Sequence, residues 1–453
     1  MTNITLINVP KKEYINGGNE LQHDTSYPIG LLQISSALKQ KAHHVDYIDG
    51  NFYHLGVEQI MQQIREQSPE FVGLNSTFPN LHLTLSLCKA VKGHDNKIKT
   101  VVGGTAATLL TEPIIRNEFV DFVVEREGEE TIVDLLKNSD QPHIVKGLAY
   151  KKEGKIIKTE SRPFLPICKV PLVDVDNIPK EIKEHSNEIT LITSRGCDHY
   201  CTFCSTPTLW GKGKKYLRQQ TTGQILREID NYRDHGFDFD LVHFLDDNFT
   251  GNWMQVEDLM ANWKRTTYLQ DKQWRCLARA NNLNSRDRLA LLADSNCYGV
   301  SIGVESANNH VLKRIGKKLT IDEVTAFLSK AQEFPIRTKG FFMIGFPNDT
   351  KETIQETVDY AATSMFDEIV INMVMAYPGT PMYNQINGTK QPIPAYCDHN
   401  IDHVANPHSR KQLLNYSTTP TISLTPGVSL DELKLFKEQA YNRFYGGIPN
   451  VIN

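Results

Sequence analysis

Short runs of apolar, largely β-branched residues alternate with amphipathic helical stretches twice along this chain, and that alternation restricts its fold more than any other feature. In the first series, ITLINV precedes a helix predicted near 29–41, HVDYID one near 56–66, FVGLNST one near 81–92, KTVVGG one near 108–116 and DFVVE one near 128–137. Apolar runs separated by helices indicate strands of a parallel sheet covered on both faces. Five such strands predict a doubly wound, Rossmann-like or flavodoxin-like α/β domain over residues 1–140.

Ligands of such sheets sit beyond the carboxyl ends of the strands. The rim so defined contains Asn8 to Pro10, Asp49, Ser76, Thr77, Gly103, Gly104, Thr105 and Glu125 to Gly128, with Glu127 among the last group. A glycine pair after a strand either lets backbone approach a ligand or only shapes a turn. No G-x-G-x-x-G is present, so a dinucleotide is not indicated.

Residues 141–188 lack clear periodicity and carry Pro142, Pro163, Pro166, Pro171 and Pro179 with the basic stretch KKEGKIIK, which predicts a linker with a small hairpin. A second series then runs through EITLITSR, DLVHFLDD, QWRCLARA, YGVSIGVE, IRTKGFFMIG and DEIVINMVMA. Its helices are predicted near 222–234, 253–267, 285–294, 320–333 and 350–363. Six strands with their helices predict an open or partial (βα)6 barrel over 189–385, with chemistry again at the carboxyl rim. Residues 386–453 are irregular apart from a helix near 429–444 and read as a C-terminal extension or cap.

A chain of 453 residues exceeds what one core usually serves, which agrees with two or three domains. The net charge of −4 gives no electrostatic reason to expect nucleic acid. The start, MTNITLINVP, lacks the basic and apolar regions of a signal peptide, and no run approaches the roughly 18 apolar residues of a membrane span. A cytoplasmic protein is expected.

Three of the eight cysteines, Cys197, Cys201 and Cys204, crowd into TSRGCDHYCTFCSTP directly after a predicted strand. Clustered cysteines in a large cytoplasmic chain suggest metal more than disulfides. Three thiolates can hold three irons of a 4Fe-4S cube and leave the fourth open to another ligand. Zinc normally takes four closed ligands from paired motifs, and no companion C-x2-C follows. Cys88, Cys276 and Cys297 fall within apolar patterns and are expected to pack as small hydrophobes, while Cys168 and Cys397 sit in irregular segments.

The cysteine segment resembles the signature of the radical S-adenosylmethionine (SAM) superfamily. Further motifs carry the same resemblance: FLDDNF with Asp246, Asp247 and Asn248, GVES with Glu305, FFMIGFPNDT with Gly345 and Pro347, and AYPGTPMY. Upstream, YPIGLLQISSAL, VDYIDGN, VGLNSTFP, VVGGTAAT and VVEREGEET look like their counterparts in cobalamin-binding radical SAM enzymes. The resemblance implies a 4Fe-4S cluster on Cys197, Cys201 and Cys204, SAM on its open iron, and cobalamin. It implies SAM contacts at Phe203, Asp247, Arg279, Glu305 and Gly345, and cobalamin contacts at Ser76, Thr77, Gly103, Gly104, Thr105 and Glu127.

Several of these residues have a plainer reading. Asp247 and Asn248 at a strand end can cap a helix, Arg279 can pair with a neighbouring acid, and Gly345-Phe346-Pro347 can be a tight turn. Glu305 follows a strand apolar enough to bury it, where a carboxylate needs a polar partner such as the SAM amine or ribose. The basic loop at 211–218 reads as a solvated connection or a substrate clamp. The D-x-H-x-x-G motif that supplies an axial histidine in other cobalamin proteins is absent, and His23-Asp24 does not reproduce it. Methylthiotransferases need three further N-terminal cysteines, whereas this region offers Cys88 alone.

The implied function is methyl transfer to an unreactive carbon of a small molecule or peptide, through a 5′-deoxyadenosyl radical and methylcobalamin. The alternatives are a cyclisation, rearrangement or redox reaction without methyl transfer, and a non-catalytic cobalamin sensor. A low-potential donor such as flavodoxin is the expected partner. Specificity is expected at the barrel rim, the 205–220 loop and the segment after 386, which includes His403, His408 and Tyr416. No residue is assigned as catalytic acid or base.

Overall fold

The computed structural model describes residues 2–11, 26–388 and 423–446; His23, Asp24, Cys397, His403, His408 and Tyr416 lie outside the described residues. The described residues fall into two compact units. One comprises those within 1–186 together with 227–237, and the other those within 187–226, 238–394 and 419–453.

The first unit is built on a seven-stranded sheet. Strands β1 (Asn3–Asn8), β2 (His44–Asp49), β3 (Phe71–Asn75), β4 (Lys99–Gly103) and β5 (Phe122–Val124) run parallel, in the order β2-β1-β3-β4-β5. Successive residues of a strand face opposite sides, and both sides are apolar here. Ile7, Val72, Leu74, Val102 and Val123 enter one core, and Ile4, Leu6, Val101, Phe122 and Val124 enter the other. The register sets Asn8 opposite Asp49 and Asn75, and Asn75 opposite Gly103, so the strands deliver one continuous carboxyl rim.

The doubly wound reading is therefore correct, and two antiparallel strands extend the sheet. These are β6 (Leu148–Lys152) and β7 (Lys155–Lys158), drawn from the stretch expected to link the domains. The hairpin turn lies in KKEGKIIK, and β6 joins the sheet by pairing with β5. Lys152 pairs with Lys155 around Glu153 and Gly154, both at positive φ (52° and 73°), the backbone that a two-residue hairpin needs.

The second unit holds six parallel strands paired in chain order: β8 (Glu188–Leu191), then β11 (Leu241–Phe244), β12 (Gln273–Ala278), β13 (Cys297–Glu305), β14 (Arg337–Ile344) and β15 (Glu368–Met373). This is an open (βα)6 arrangement. The intervening β9 (Ser194–Arg195) and β10 (Arg218–Gln219) form a short antiparallel ribbon beside the cysteine segment. At the far edge, helix Leu430–Tyr445 closes β15 chemically: the Ile371 N–H donates to the Tyr441 hydroxyl (2.9 Å) and the Ile369 N–H to that of Tyr445 (3.0 Å). Side-chain oxygens thus occupy edge donors that would otherwise recruit another strand.

Candidate active site

The cysteine loop leaves the carboxyl end of the β8–β9 segment and is gripped by the end of β11. Asp246 is buried and accepts hydrogen bonds from the Ser194 N–H, the Ser194 hydroxyl (2.6 Å) and the Thr193 hydroxyl (2.9 Å), just ahead of Cys197. Burial pushes its carboxyl up to about 6 against those donors. Asp247 accepts from the Thr206 hydroxyl (3.1 Å), two residues past Cys204. The Asn248 amide donates to Asp198 (3.1 Å), which also contacts the His199 ring (2.7 Å). Burial works to raise Asp198, but His199 and the Asn248 amide outweigh it and hold the carboxyl at about 2. The FLDDN segment therefore braces the loop before, within and after its cysteines.

The three thiols act on one another electrostatically, Cys197 with Cys204 and Cys204 with Cys201. Burial pushes Cys197 up to about 12 and raises Cys201 and Cys204 as well. A buried thiol with a raised pKa is a poor ligand until a cation replaces its proton, and metal binding then releases that proton. Three such sulfurs on one loop fit a soft, multiply charged iron–sulfur group. Cys197, Asp198 and His199 also place ligand atoms within 4.8 Å of one another, but Asp198 is engaged by His199 and Asn248.

Across the rim, the Phe203 ring packs on Phe346 with centroids 5.6 Å apart. Gly345, at φ +96°, backs onto Leu433 so closely that a Cβ would meet its Cδ1 at 2.9 Å. The Gly345 and Phe346 N–H groups donate to Asp349 (3.1 and 2.8 Å), which closes the turn after β14. Glu305 ends β13 at φ +71°, where the pairing with β14 shifts register, and its carboxylate accepts from Lys317 (2.7 Å). Among the described residues, Arg279 forms no ion pair with an acid. Its guanidinium donates to the backbone carbonyls of Lys317 and Lys318 (3.1 Å to the latter) and acts electrostatically on the Cys201 thiol.

In the first unit, Ser76 is fully buried, Thr77 is half-buried and Thr105 is exposed. The Ser76 N–H donates to the Gly103 carbonyl (2.8 Å), and the Thr77 N–H to Asn80 (2.7 Å). Gly104 sits at φ +101° against Ser76, where a Cβ would come within 2.5 Å of the Ser76 carbonyl oxygen. Glu127 is buried and accepts from the Leu165 N–H (2.7 Å). Ser76 and Gly103 to Thr105 are thus brought together at the ends of β3 and β4, and Glu127 lies beyond β5.

Sequence reasoning missed Lys317, Asp198 and Asp349. The signal for Lys317 was a basic residue straight after a helix-ending glycine, RIGKK, and only the fold reveals that it reaches back to Glu305.

Residues 191–361 match the Radical SAM superfamily and residues 23–136 match the B12 binding domain. The chain is a radical SAM enzyme carrying a cobalamin-binding domain, and the cofactors of that class are a 4Fe-4S cluster, S-adenosylmethionine and cobalamin.

Among its relatives is an uncharacterized methyltransferase of Pyrococcus horikoshii, 28% identical over 79% of this chain and 78% of that one. The cytidylyl-2-hydroxyethylphosphonate methyltransferase of Streptomyces wedmorensis is 26% identical over 75% of this chain and 74% of that one. The anaerobic magnesium-protoporphyrin IX monomethyl ester cyclase of Cereibacter sphaeroides is 26% identical over 82% of this chain and 62% of that one. The fold is shared with the radical SAM methyltransferase TsrM of Kitasatospora setae, solved with cobalamin and a [4Fe-4S] cluster bound. Its TM-score is 0.70 at 17% identity, covering 86% of this chain and 78% of that one. No helix among the described residues is long and apolar enough to cross a membrane.

Proposed function

We propose that this chain is a cytoplasmic methyltransferase acting on an unactivated carbon of a small molecule or peptide, with an electron supplied by a low-potential donor such as flavodoxin. The observation that carries the reading is the braced loop of three interacting thiols at the carboxyl rim of an open (βα)6 sheet, in a chain that also has a cobalamin-binding domain. Two of the relatives are methyltransferases by name.

In this reading Cys197, Cys201 and Cys204 hold the cluster. Phe203, Asp247, Arg279, Glu305 and Gly345 surround SAM, while Ser76, Thr77, Gly103, Gly104, Thr105 and Glu127 surround cobalamin. When bound, these cofactors supply a 5′-deoxyadenosyl radical and a transferable methyl group. The chain's own part is positioning. The Asp246–Ser194 and Asp247–Thr206 hydrogen bonds fix the ends of the cysteine loop, and the apolar Phe203–Phe346 contact excludes water beside it. Arg279 places positive charge beside Cys201. Gly103 and Gly104 keep side-chain bulk off the rim of the first sheet.

The cyclase relative supports a second reading, radical cyclisation without methyl transfer. Anaerobically reconstituted, cobalamin-loaded protein, given SAM, reductant and cell extract as a source of substrates, separates the two. Methyl transfer yields both 5′-deoxyadenosine and S-adenosylhomocysteine. Deoxyadenosine without S-adenosylhomocysteine supports the cyclisation reading instead.

A further inference from the structure

Behind the cysteine loop lies a polar structure that the reading above uses only through Glu305 and Arg279. Helix Asn309–Arg314 ends in a reversal at Gly316 (φ +69°), with the Lys317 N–H bonded back to the Leu312 carbonyl (3.0 Å). A left-handed glycine commonly terminates a helix this way. The terminus is also pressed onto the cysteine loop. The Thr202 N–H donates to the Ile315 carbonyl (2.8 Å), and a Cβ on Gly316 would lie 3.0 Å from the Tyr200 carbonyl oxygen and 4.0 Å from the Cys201 Cα.

Lys317 then turns inward to Glu305 at 2.7 Å, with the two side chains only 7% and 10% exposed. Arg279 ties the Lys317 and Lys318 carbonyls from the other side. Removing two charges from water costs several kcal/mol per ion unless geometry repays it, so a buried pair is weak evidence of stability for its own sake. The pair's location, behind Cys201, gives it another use.

We propose that Lys317 is a positioning residue for the cluster: anchored on Glu305, it holds segment 315–318 against residues 200–202 and keeps a positive charge beside Cys201. The inference rests on the reading of Cys197, Cys201 and Cys204 as cluster ligands. A cation near an iron–sulfur cluster favours its reduced form, because local charge and hydrogen bonding help to set the potential. A residue that only stabilised the fold would leave that potential alone.

The test compares reconstituted full-length wild type, Lys317→Arg, Lys317→Met and the double variant Lys317→Met/Glu305→Gln, with Cys201→Ala as control. It reads iron and sulfide content, the cluster's midpoint potential, and the change in its EPR signal on adding SAM. We expect Lys317→Met to retain a cluster whose midpoint moves to lower potential and whose SAM-dependent signal is altered, with Lys317→Arg close to wild type. The double variant avoids a lone buried carboxylate and keeps the test alive if Lys317→Met does not fold. It should still alter the midpoint or the SAM-dependent signal, because segment 315–318 loses its anchor on Glu305. A wild-type midpoint and SAM response in the double variant would overturn the proposal. Wild type without a cluster, or a cluster undiminished in Cys201→Ala, would instead overturn the reading on which it rests.

Discussion

The two sheets end in rims made of different material. In the first unit the rim's buried acids, Asp49 and Glu127, are held by neutral donors. The Asn8 amide donates to Asp49 (2.8 Å), the Asn80 amide to the Val9 and Asn75 carbonyls (3.0 and 3.1 Å), and Gly104 is sunk against Ser76. In the second unit the rim concentrates thiols raised by burial, Asp246 pushed up to about 6, and the buried Lys317–Glu305 pair. The first rim sets its acids against amides and backbone, and the second adds thiols and a buried cation. A rim of neutral donors suits a large preformed ligand held by contact, whereas buried thiols and a buried cation suit a site whose charges are completed by a metal cluster.

Variants that damage one rim should spare the other, and the largest effect is expected at the thiols. Cys201→Ala should drop iron and sulfide content, and 5′-deoxyadenosine formation, to background while cobalamin content after reconstitution stays near that of wild type. Gly104→Ala should do the reverse. It forces a Cβ to within 2.5 Å of the Ser76 carbonyl oxygen at φ +101°, a strain of roughly 2–4 kcal/mol. Cobalamin binding should fall and iron content hold. Loss of both cofactors in either variant would erase the distinction between the rims.

Smaller effects sharpen the same contrast through stability. Glu228 is buried in the first unit, accepts from the Val173 N–H (2.9 Å), and is pushed up to about 7 by desolvation. A carboxyl raised in the folded state contributes fully below its unfolded pKa of about 4.5, and that contribution is lost as pH climbs through about 7. Glu228→Gln keeps the acceptor and removes the charge. It should therefore stabilise the first unit by about 1–3 kcal/mol at pH 8, with the gain fading toward pH 5, read as urea midpoints by a probe in that unit. Tyr441→Phe strips the acceptor from the buried Ile371 N–H, which should cost the second unit about 1 kcal/mol and leave cobalamin binding unchanged.

How much of this was legible in the sequence follows from the range of the interactions involved. Strand and helix identities came through because apolar runs and amphipathic stretches are local patterns: all six strands of the second sheet appear where EITLITSR to DEIVINMVMA place them. The cysteine loop was legible for the same reason, since its three sulfurs lie within eight residues. The hairpin at 148–158 was expected, but not its place in the first sheet, which rests on β6 pairing antiparallel with β5. Arg279 and Glu305 could be named, but not their partners. Arg279 bonds carbonyls 38 and 39 residues away, and Glu305 meets Lys317, 12 residues on, where β13 breaks register at its end. Pairings of that kind depend on where the chain returns, which residue type does not reveal.

The central proposal is methyl transfer that needs both cofactors. The most direct measurement is an anaerobic incubation of the fully loaded protein with SAM labelled in its methyl group, reductant and cell extract, followed by mass spectrometry of nucleosides and products. The account predicts 5′-deoxyadenosine and S-adenosylhomocysteine rising together, with the label in a new product and all three signals absent in Cys201→Ala. Deoxyadenosine accumulating with no S-adenosylhomocysteine and no labelled product would contradict it.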